Sequence, residues 1–157
     1  MGDAAEIHHG TAIALAGNAA LIRGAPGSGK SDLALRCLAL APTALIASPT
    51  LLVADDRVVL TREGERLMAA APETIRGKIE VRGLGIMTVP TVERADLALV
   101  ADLVAPEQVQ RFPDPAPTTE LLGVRLPLIY IAPFEAAAPV KLLLALSQRF
   151  KRAADGV

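Results

Sequence analysis

Gly24-Ala25-Pro26-Gly27-Ser28-Gly29-Lys30-Ser31 is the stretch whose reading decides the fold. It fits the pattern G-x-x-x-x-G-K-[ST] at every fixed position. Ala20-Leu21-Ile22 before it is short, apolar and strand-like. Asp32 to Leu40 after it reads as a helix, with Leu33, Leu35, Ala39 and Leu40 available to a core. A glycine-rich turn between strand and helix lets backbone N–H groups converge on phosphate oxygens with no Cβ in the way. The opening helix points its positive dipole end at the same anion. Lys30 is expected to reach the β- and γ-phosphates and the Ser31 hydroxyl to sit on Mg²⁺. A chance glycine turn would explain the letters but not the strand before them and the helix after. The expectation is a P-loop for ATP or GTP.

Upstream, Thr11-Ala12-Ile13-Ala14-Leu15 reads as a strand and Ala16-Gly17-Asn18 as a turn, so a hairpin feeds the loop. Such a hairpin returns the start of its first strand to the place where the loop begins. His8 and His9 stand just ahead of it, and a pair so near a terminus is most simply solvated. The hairpin makes room for one of them near the nucleotide. Downstream, Leu51-Leu52-Val53-Ala54 is a buried-strand pattern that ends on Asp55-Asp56, an apolar strand terminating in acid. Behind a P-loop, that arrangement puts a carboxylate near the Mg²⁺. Of the two acids, one could hold metal through water while the other accepts a proton from an incoming hydroxyl. On a continuing strand they would point to opposite faces.

Val58-Val59-Leu60 and Arg66-Leu67-Met68 flank Glu63-Gly64-Glu65 as a second hairpin. Pro72 to Gly77 looks like one short helical turn with a glycine stop. In Lys78-Ile79-Glu80-Val81-Arg82, alternation gives a strand with Glu80 and Arg82 on its polar face, and Gly83 and Gly85 then permit a tight loop. Ala98 to Ala101 is another buried strand. Ala105 to Thr119 is a proline-rich loop carrying Arg111 beside Phe112. Val124 to Ile131 is a strand that Pro127 marks as an edge. Pro139 to Arg152 is the last helix, with Leu142, Leu143, Leu146 and Phe150 as its stripe and Arg149, Lys151 and Arg152 complementing its C-terminal dipole.

A chain of 157 residues is one domain by length, taken here as 1–157 with a core over about 7–152. Its 52% hydrophobic content excludes a disordered chain, and 3% aromatic content argues against stacking platforms for single strands. With 16 basic and 17 acidic residues and no basic block, no nucleic-acid surface is expected. No apolar run is long enough for a membrane span, and the N-terminus shows no signal-peptide pattern, so a cytoplasmic protein is expected. The single cysteine, Cys37, reads as a small core residue inside the P-loop helix.

Together these residues resemble the catalytic domain of HPr kinase/phosphorylase. The resemblance runs from about His9 to the final helix. It is carried by His9-Gly10, by the P-loop, by Val53-Ala54-Asp55-Asp56-Arg57, and most specifically by Glu80-Val81-Arg82-Gly83-Leu84-Gly85-Ile86. It implies an α/β fold with a P-loop on a mixed central sheet with flanking helices, similar to the nucleotide-binding core of phosphoenolpyruvate carboxykinase. The family's larger members carry a further N-terminal domain, and this chain looks like the short form without it. The implied activity is ATP- and Mg²⁺-dependent phosphorylation of a serine on the phosphocarrier protein HPr, with phosphorolysis as the reverse, in regulation of the sugar phosphotransferase system. By resemblance, Asp55 is the proton acceptor, and His9, Lys30 and Arg111 are catalytic partners. Ser31 and Glu80 bind Mg²⁺, with Asp56 as a further carboxylate for the metal. A homo-oligomer, by default a hexamer, is implied in the same way.

Three departures stand out. Pro26 replaces a serine usual in the family's loop, and the stretch after Gly85 is several residues shorter. Pro133 to Lys141 lacks the glycine-arginine pair that the family ties to dephosphorylation. Two other functions accommodate the P-loop: a small-molecule kinase or ATPase, and a nucleotide-binding regulator without catalysis. Neither accounts for the Glu80 segment or the entry hairpin.

Overall fold

The computed structural model describes residues 5–154, with side chains placed through residue 148. Its strands are β1 (Ala5–His9), β2 (Thr11–Leu15), β3 (Asn18–Arg23), β4 (Thr50–Ala54), β5 (Arg57–Glu63), β6 (Arg66–Ala70), β7 (Lys78–Val81), β8 (Gly85–Thr88), β9 (Arg94–Leu103), β10 (Thr118–Leu121) and β11 (Val124–Ile131). The helices are α1 (Lys30–Ala39) and α2 (Ala138–Ala154). Phe150, Arg149, Lys151 and Arg152, assigned above to the stripe and end of the last helix, lie outside the described side chains.

A curled, mixed sheet of nine strands runs β1-β5-β6-β9-β3-β2-β4, with β11 also on β9 and β10 on β11. The centre of the sheet is built from strands that are apolar on both faces. Ile13, Ala20, Ile22, Leu99 and Ala101 turn to one side, where Leu33, Ala34 and Cys37 of α1 and Leu142, Leu143 and Leu146 of α2 cover them. Ala12, Ala14, Leu21 and Val100 turn to the other, where Val58, Leu60, Leu67, Leu126 and Leu128 close over them. This explains the unbroken apolar runs in β2, β3 and β9, since a strand covered on both faces has no need to alternate. The expected flanking helices therefore lie on a single face, and the curl of the sheet itself closes the other.

The β2–β3 hairpin turns at Ala16 and Gly17, both with positive φ (52° and 83°), as a two-residue turn with matching twist requires. β3 pairs antiparallel with β2 and parallel with β9, while β4 pairs antiparallel with β2. β3 and β4 therefore point the same way with β2 between them. The loop that leaves β3 and the acids that follow β4 emerge at one end of the sheet. At that end Arg23 clamps β3 to β9 through a two-pronged pair with Asp102, at 2.7 and 3.0 Å.

Three strands differ from the sequence expectation, one of them β10, which starts at Thr118 inside the stretch expected as loop. β1, where the sequence reading has two histidines ahead of the hairpin and no strand, is an edge strand lying antiparallel to β5, with His9 opposite Arg57. The Lys78–Ile86 segment, expected as one strand and a loop, is a separate two-stranded hairpin of β7 and β8. β11 divides its pairing: Val124–Pro127 lies on β10 and Leu128–Ile131 on β9, so Pro127 falls at the junction with one neighbour only.

Candidate functional site

The segment 24–29 leaves β3 at its C-terminal end and curls back before α1. Ser28 N–H donates to the Ala25 carbonyl at 3.0 Å, and Gly27 and Gly29 take φ of 79° and 104°. Gly29 is the residue before α1, and its left-handed backbone suits glycine alone among common residues. Lys30 is buried, and its Nζ donates to the carbonyls of Gly24 (2.8 Å) and Ala25 (3.0 Å). An ammonium has three N–H donors, so one remains for an anion in the bowl of the loop.

Ser31 Oγ, on the first turn of α1, donates to Asp55 Oδ1 at 2.6 Å. The same oxygen accepts from the buried Thr11 hydroxyl at 3.0 Å, and Oδ2 accepts from Glu80 N–H at 3.1 Å. Asp55 thus ties together β2, β4, α1 and the β7–β8 hairpin. A carboxylate offers about four acceptor positions, and three are filled, so Asp55 retains one on Oδ2.

Asp56 does not continue the strand. Arg57 N–H donates to the Asp55 carbonyl at 2.7 Å, and Asp56 has φ of 67°, which makes it the centre of a γ-turn. That turn is rare and strained, and strain of this sort clusters at functional sites. The alternation expected for Asp55 and Asp56 is thereby replaced. Asp55 is buried, while Asp56 is exposed, with a carboxylate oxygen 3.5 Å from His9 Nδ1.

His8 and His9 alternate on β1. His9 faces the site, and His8 lies 3.0 Å from Glu6. Gly10 between His9 and β2 has a reason in packing. A Cβ there would come within 2.8 Å of the Ile22 carbonyl oxygen, a backbone atom that cannot step aside. The Gly10 N–H in turn donates to the Asp56 carbonyl at 3.0 Å.

A cleft of about 780 Å³ joins these parts; His9, Gly27, Lys30, Ser31, Asp56 and Glu80 all line it, as do Thr11 and Arg82. Glu80 and Arg82 are exposed on its hairpin wall, which Ile79, 1% exposed, anchors in the core. The structure does not bring Arg111 here: it is exposed on the 109–117 loop and is not part of the cleft lining. The part that sequence reasoning missed is Thr11, read only as the start of a strand. Its signal was a hydroxyl opening an otherwise apolar run next to His9-Gly10.

Among the described residues no cluster of three or more His, Cys, Asp or Glu could cage a metal ion. The donors that line the cleft are the Ser31 hydroxyl and the Asp56 and Glu80 carboxylates, with the buried Asp55 bonded to Ser31 behind them. Such a partial oxygen shell fits Mg²⁺, which keeps waters and takes one or two carboxylates plus phosphate oxygens.

Fold and site define an α/β domain in which a glycine-rich strand–loop–helix faces a carboxylate cleft from the end of a mixed sheet. The chain belongs to the HPr serine kinase C-terminal domain family, whose model matches residues 3–154. It is 33% identical over 135 residues to the HPr kinase/phosphorylase of Chloroherpeton thalassium, covering 79% of this chain and 37% of that protein. The HPr kinase/phosphorylase of Alkaliphilus metalliredigens is 33% identical over 155 residues, covering 92% and 47%. The chain thus spans less than half the length of these relatives. A solved structure of the HPr(Ser) kinase/phosphatase from Coxiella burnetii superposes with a TM-score of 0.77 at 25% identity, covering 96% of this chain and 94% of that one.

Proposed function

We propose that this domain is an ATP-dependent protein kinase that phosphorylates a serine of HPr, and that the 24–31 loop is its P-loop. The observation that carries the reading is the Ser31–Asp55 bond, which couples the start of the loop helix to the acid at the end of β4. A glycine-rich loop and helix start hold the phosphates, and Lys30 offers its remaining donor to them. Mg²⁺, when bound through Ser31 and the carboxylates, would neutralise charge on the phosphate oxygens. The serine oxygen then forms a bond to the γ-phosphorus as the bond to the ADP oxygen breaks, and Asp55 takes the hydroxyl proton. His9, paired with Asp56, orients the reacting groups, and Arg111 carries a charge-stabilising role by family resemblance alone. Positioning and electrostatic stabilisation supply most of such a transfer.

The reverse reaction uses inorganic phosphate to remove the group as pyrophosphate. Without the glycine-arginine pair near Pro133–Lys141, it is expected to be the weaker activity. The test is the intact mass of HPr after incubation with the protein, Mg²⁺ and ATP. A gain of one phosphoryl group supports the reading. ATP consumption indifferent to HPr would indicate a small-molecule kinase, and binding without consumption a regulator.

A further inference from the structure

A second cavity, of about 540 Å³, adjoins the loop and lies outside the machinery described above. Its walls are Ser28 of the loop, the segment from Leu103 to Pro106 with Gln108, and the segment from Ala132 to Glu135. These are the stretches that leave the C-terminal ends of β3, β9 and β11, three strands that run parallel. Open α/β sheets hold ligands outside such ends. Phe134 lines both this cavity and the carboxylate cleft, so the two are neighbours across one ring. That ring abuts the loop, since a Cβ at Gly29 would stand 3.0 Å from Phe134 Cζ. Phe134 is 73% exposed, in a chain with only 3% aromatic residues. An exposed ring beside a phosphate loop has a ready partner in a nucleobase.

We infer that this cavity holds the base of the nucleoside triphosphate whose phosphates lie on the loop, stacked against Phe134. The inference rests on the nucleotide reading above and extends it to how the base is held. Stacking does not distinguish one purine from another, and the wall has few groups with which to read a base edge. Val104 N–H is taken by the Ile131 carbonyl (3.0 Å), Ala105 N–H by Gln108 Oε1 (3.0 Å) and Glu135 N–H by the Ala132 carbonyl (3.3 Å). Lys141 Nζ donates to Glu135 Oε2 at 2.7 Å and balances the charge of that carboxylate. The Gln108 side-chain N–H₂ and the buried, unpartnered Ser28 hydroxyl are left as side-chain donors, and both adenine and guanine offer them acceptors. Weak purine selectivity follows.

Calorimetric titration of the full chain in Mg²⁺ with ATP, GTP and inorganic tripolyphosphate tests this. Two variants approach the cavity from opposite walls: Phe134→Ala removes the ring, and Ala105→Trp fills the space from an exposed position. Both should weaken ATP binding by about 5- to 100-fold, the range for loss of one base–aromatic stack, and change tripolyphosphate binding by less than about two-fold. GTP should bind the parent within about five-fold of ATP. Equal losses for ATP and tripolyphosphate in both variants, or no loss for either, would overturn the base site while leaving the loop's phosphate reading intact. Preference for ATP over GTP beyond about thirty-fold would overturn the account of how the base is held. Binding of neither ATP nor tripolyphosphate to the parent would overturn the nucleotide reading, and the base site with it.

Discussion

Asp55 and Asp56 are adjacent in the chain and differ in surroundings. Asp55 is buried with three internal donors, and Asp56 is exposed on a strained turn. Asp55→Asn keeps one carbonyl oxygen for Thr11 and Ser31 but turns an N–H₂ toward the Glu80 N–H. The mismatch should cost about 1–3 kcal/mol of stability. Loss of the proposed proton acceptor should lower transfer to HPr by about 10²–10⁴-fold. Asp56→Asn leaves folding unchanged and lowers transfer less. Melting temperature, ATP affinity and HPr phosphorylation on both variants decide this. A fully active Asp55→Asn beside a dead Asp56→Asn would move the role to Asp56. His9→Ala, which empties the cleft wall beside Asp56, should reduce turnover by about 10² through lost positioning, whereas His8→Ala should stay near the parent rate. Equal losses at both histidines would count against the assignment. Cys37 is inert for a physical reason: burial pushes its thiol from 9.0 up to about 12, against a smaller opposing pull from the Arg36 guanidinium. Between these values the unfolded chain has lost the proton and the native chain keeps it. Stability should therefore fall as pH rises from about 9 towards 12, by at most about 1.4 kcal/mol per pH unit, with no contribution below that window. Urea midpoints of the parent and Cys37→Ala at about pH 8 and about pH 10 measure it, and a parent that shows no extra loss would refute the shift.

Among the elements, the β7–β8 hairpin is the one whose placement decides whether the site is complete. It stands apart from the main sheet, held by Ile79 in the helical-face core and by the Glu80 N–H on Asp55. Ile79→Ala removes the buried anchor and should cost about 2–5 kcal/mol. Because Glu80 travels with the hairpin, the Mg²⁺ concentration needed for half-maximal transfer should rise together with the loss of stability. A destabilised variant with an unchanged Mg²⁺ requirement would show that the wall is placed by something else. The elements legible in the sequence were those with a strong local signal: the positive-φ turn at Gly17, the apolar run into Asp55, and the stripe of α2. β1 was hidden because Ala5-Glu6-Ile7-His8-His9 is a largely exposed edge strand whose one partner among the described residues, β5, lies some fifty residues downstream. β8 was hidden by the glycines before it, which read as loop; Gly83 and Gly85 take φ of 92° and 99°, as a tight hairpin turn needs. The strap from Thr11 to Asp55 is a contact between strands, and no local pattern in either strand reports it.

At the scale of the whole molecule, the surface carries what the core does not explain. No helix among the described residues is long and apolar enough to cross a membrane. Yet Ile7, Leu84, Ile86 and Phe112 are each more than 60% exposed. Single exposed apolar side chains are ordinary. Ile7, however, sits on β1, whose outer edge has no partner strand among the described residues, and an open strand edge is a site for pairing between chains. We propose a homo-oligomer, with the hexamer implied by family resemblance as the default. Light scattering at micromolar concentration should then give a mass that is a multiple of the 16.3 kDa chain, six times that value for the hexamer. Ile7→Lys places a charge on the open edge without touching the core, since Ile7 is 63% exposed. If β1 takes part in the contact, that variant should shift the mass downward while leaving the melting of the isolated fold unchanged. A parent that scatters as 16.3 kDa refutes oligomerisation outright. An oligomer indifferent to Ile7→Lys keeps the assembly but moves its interface away from β1.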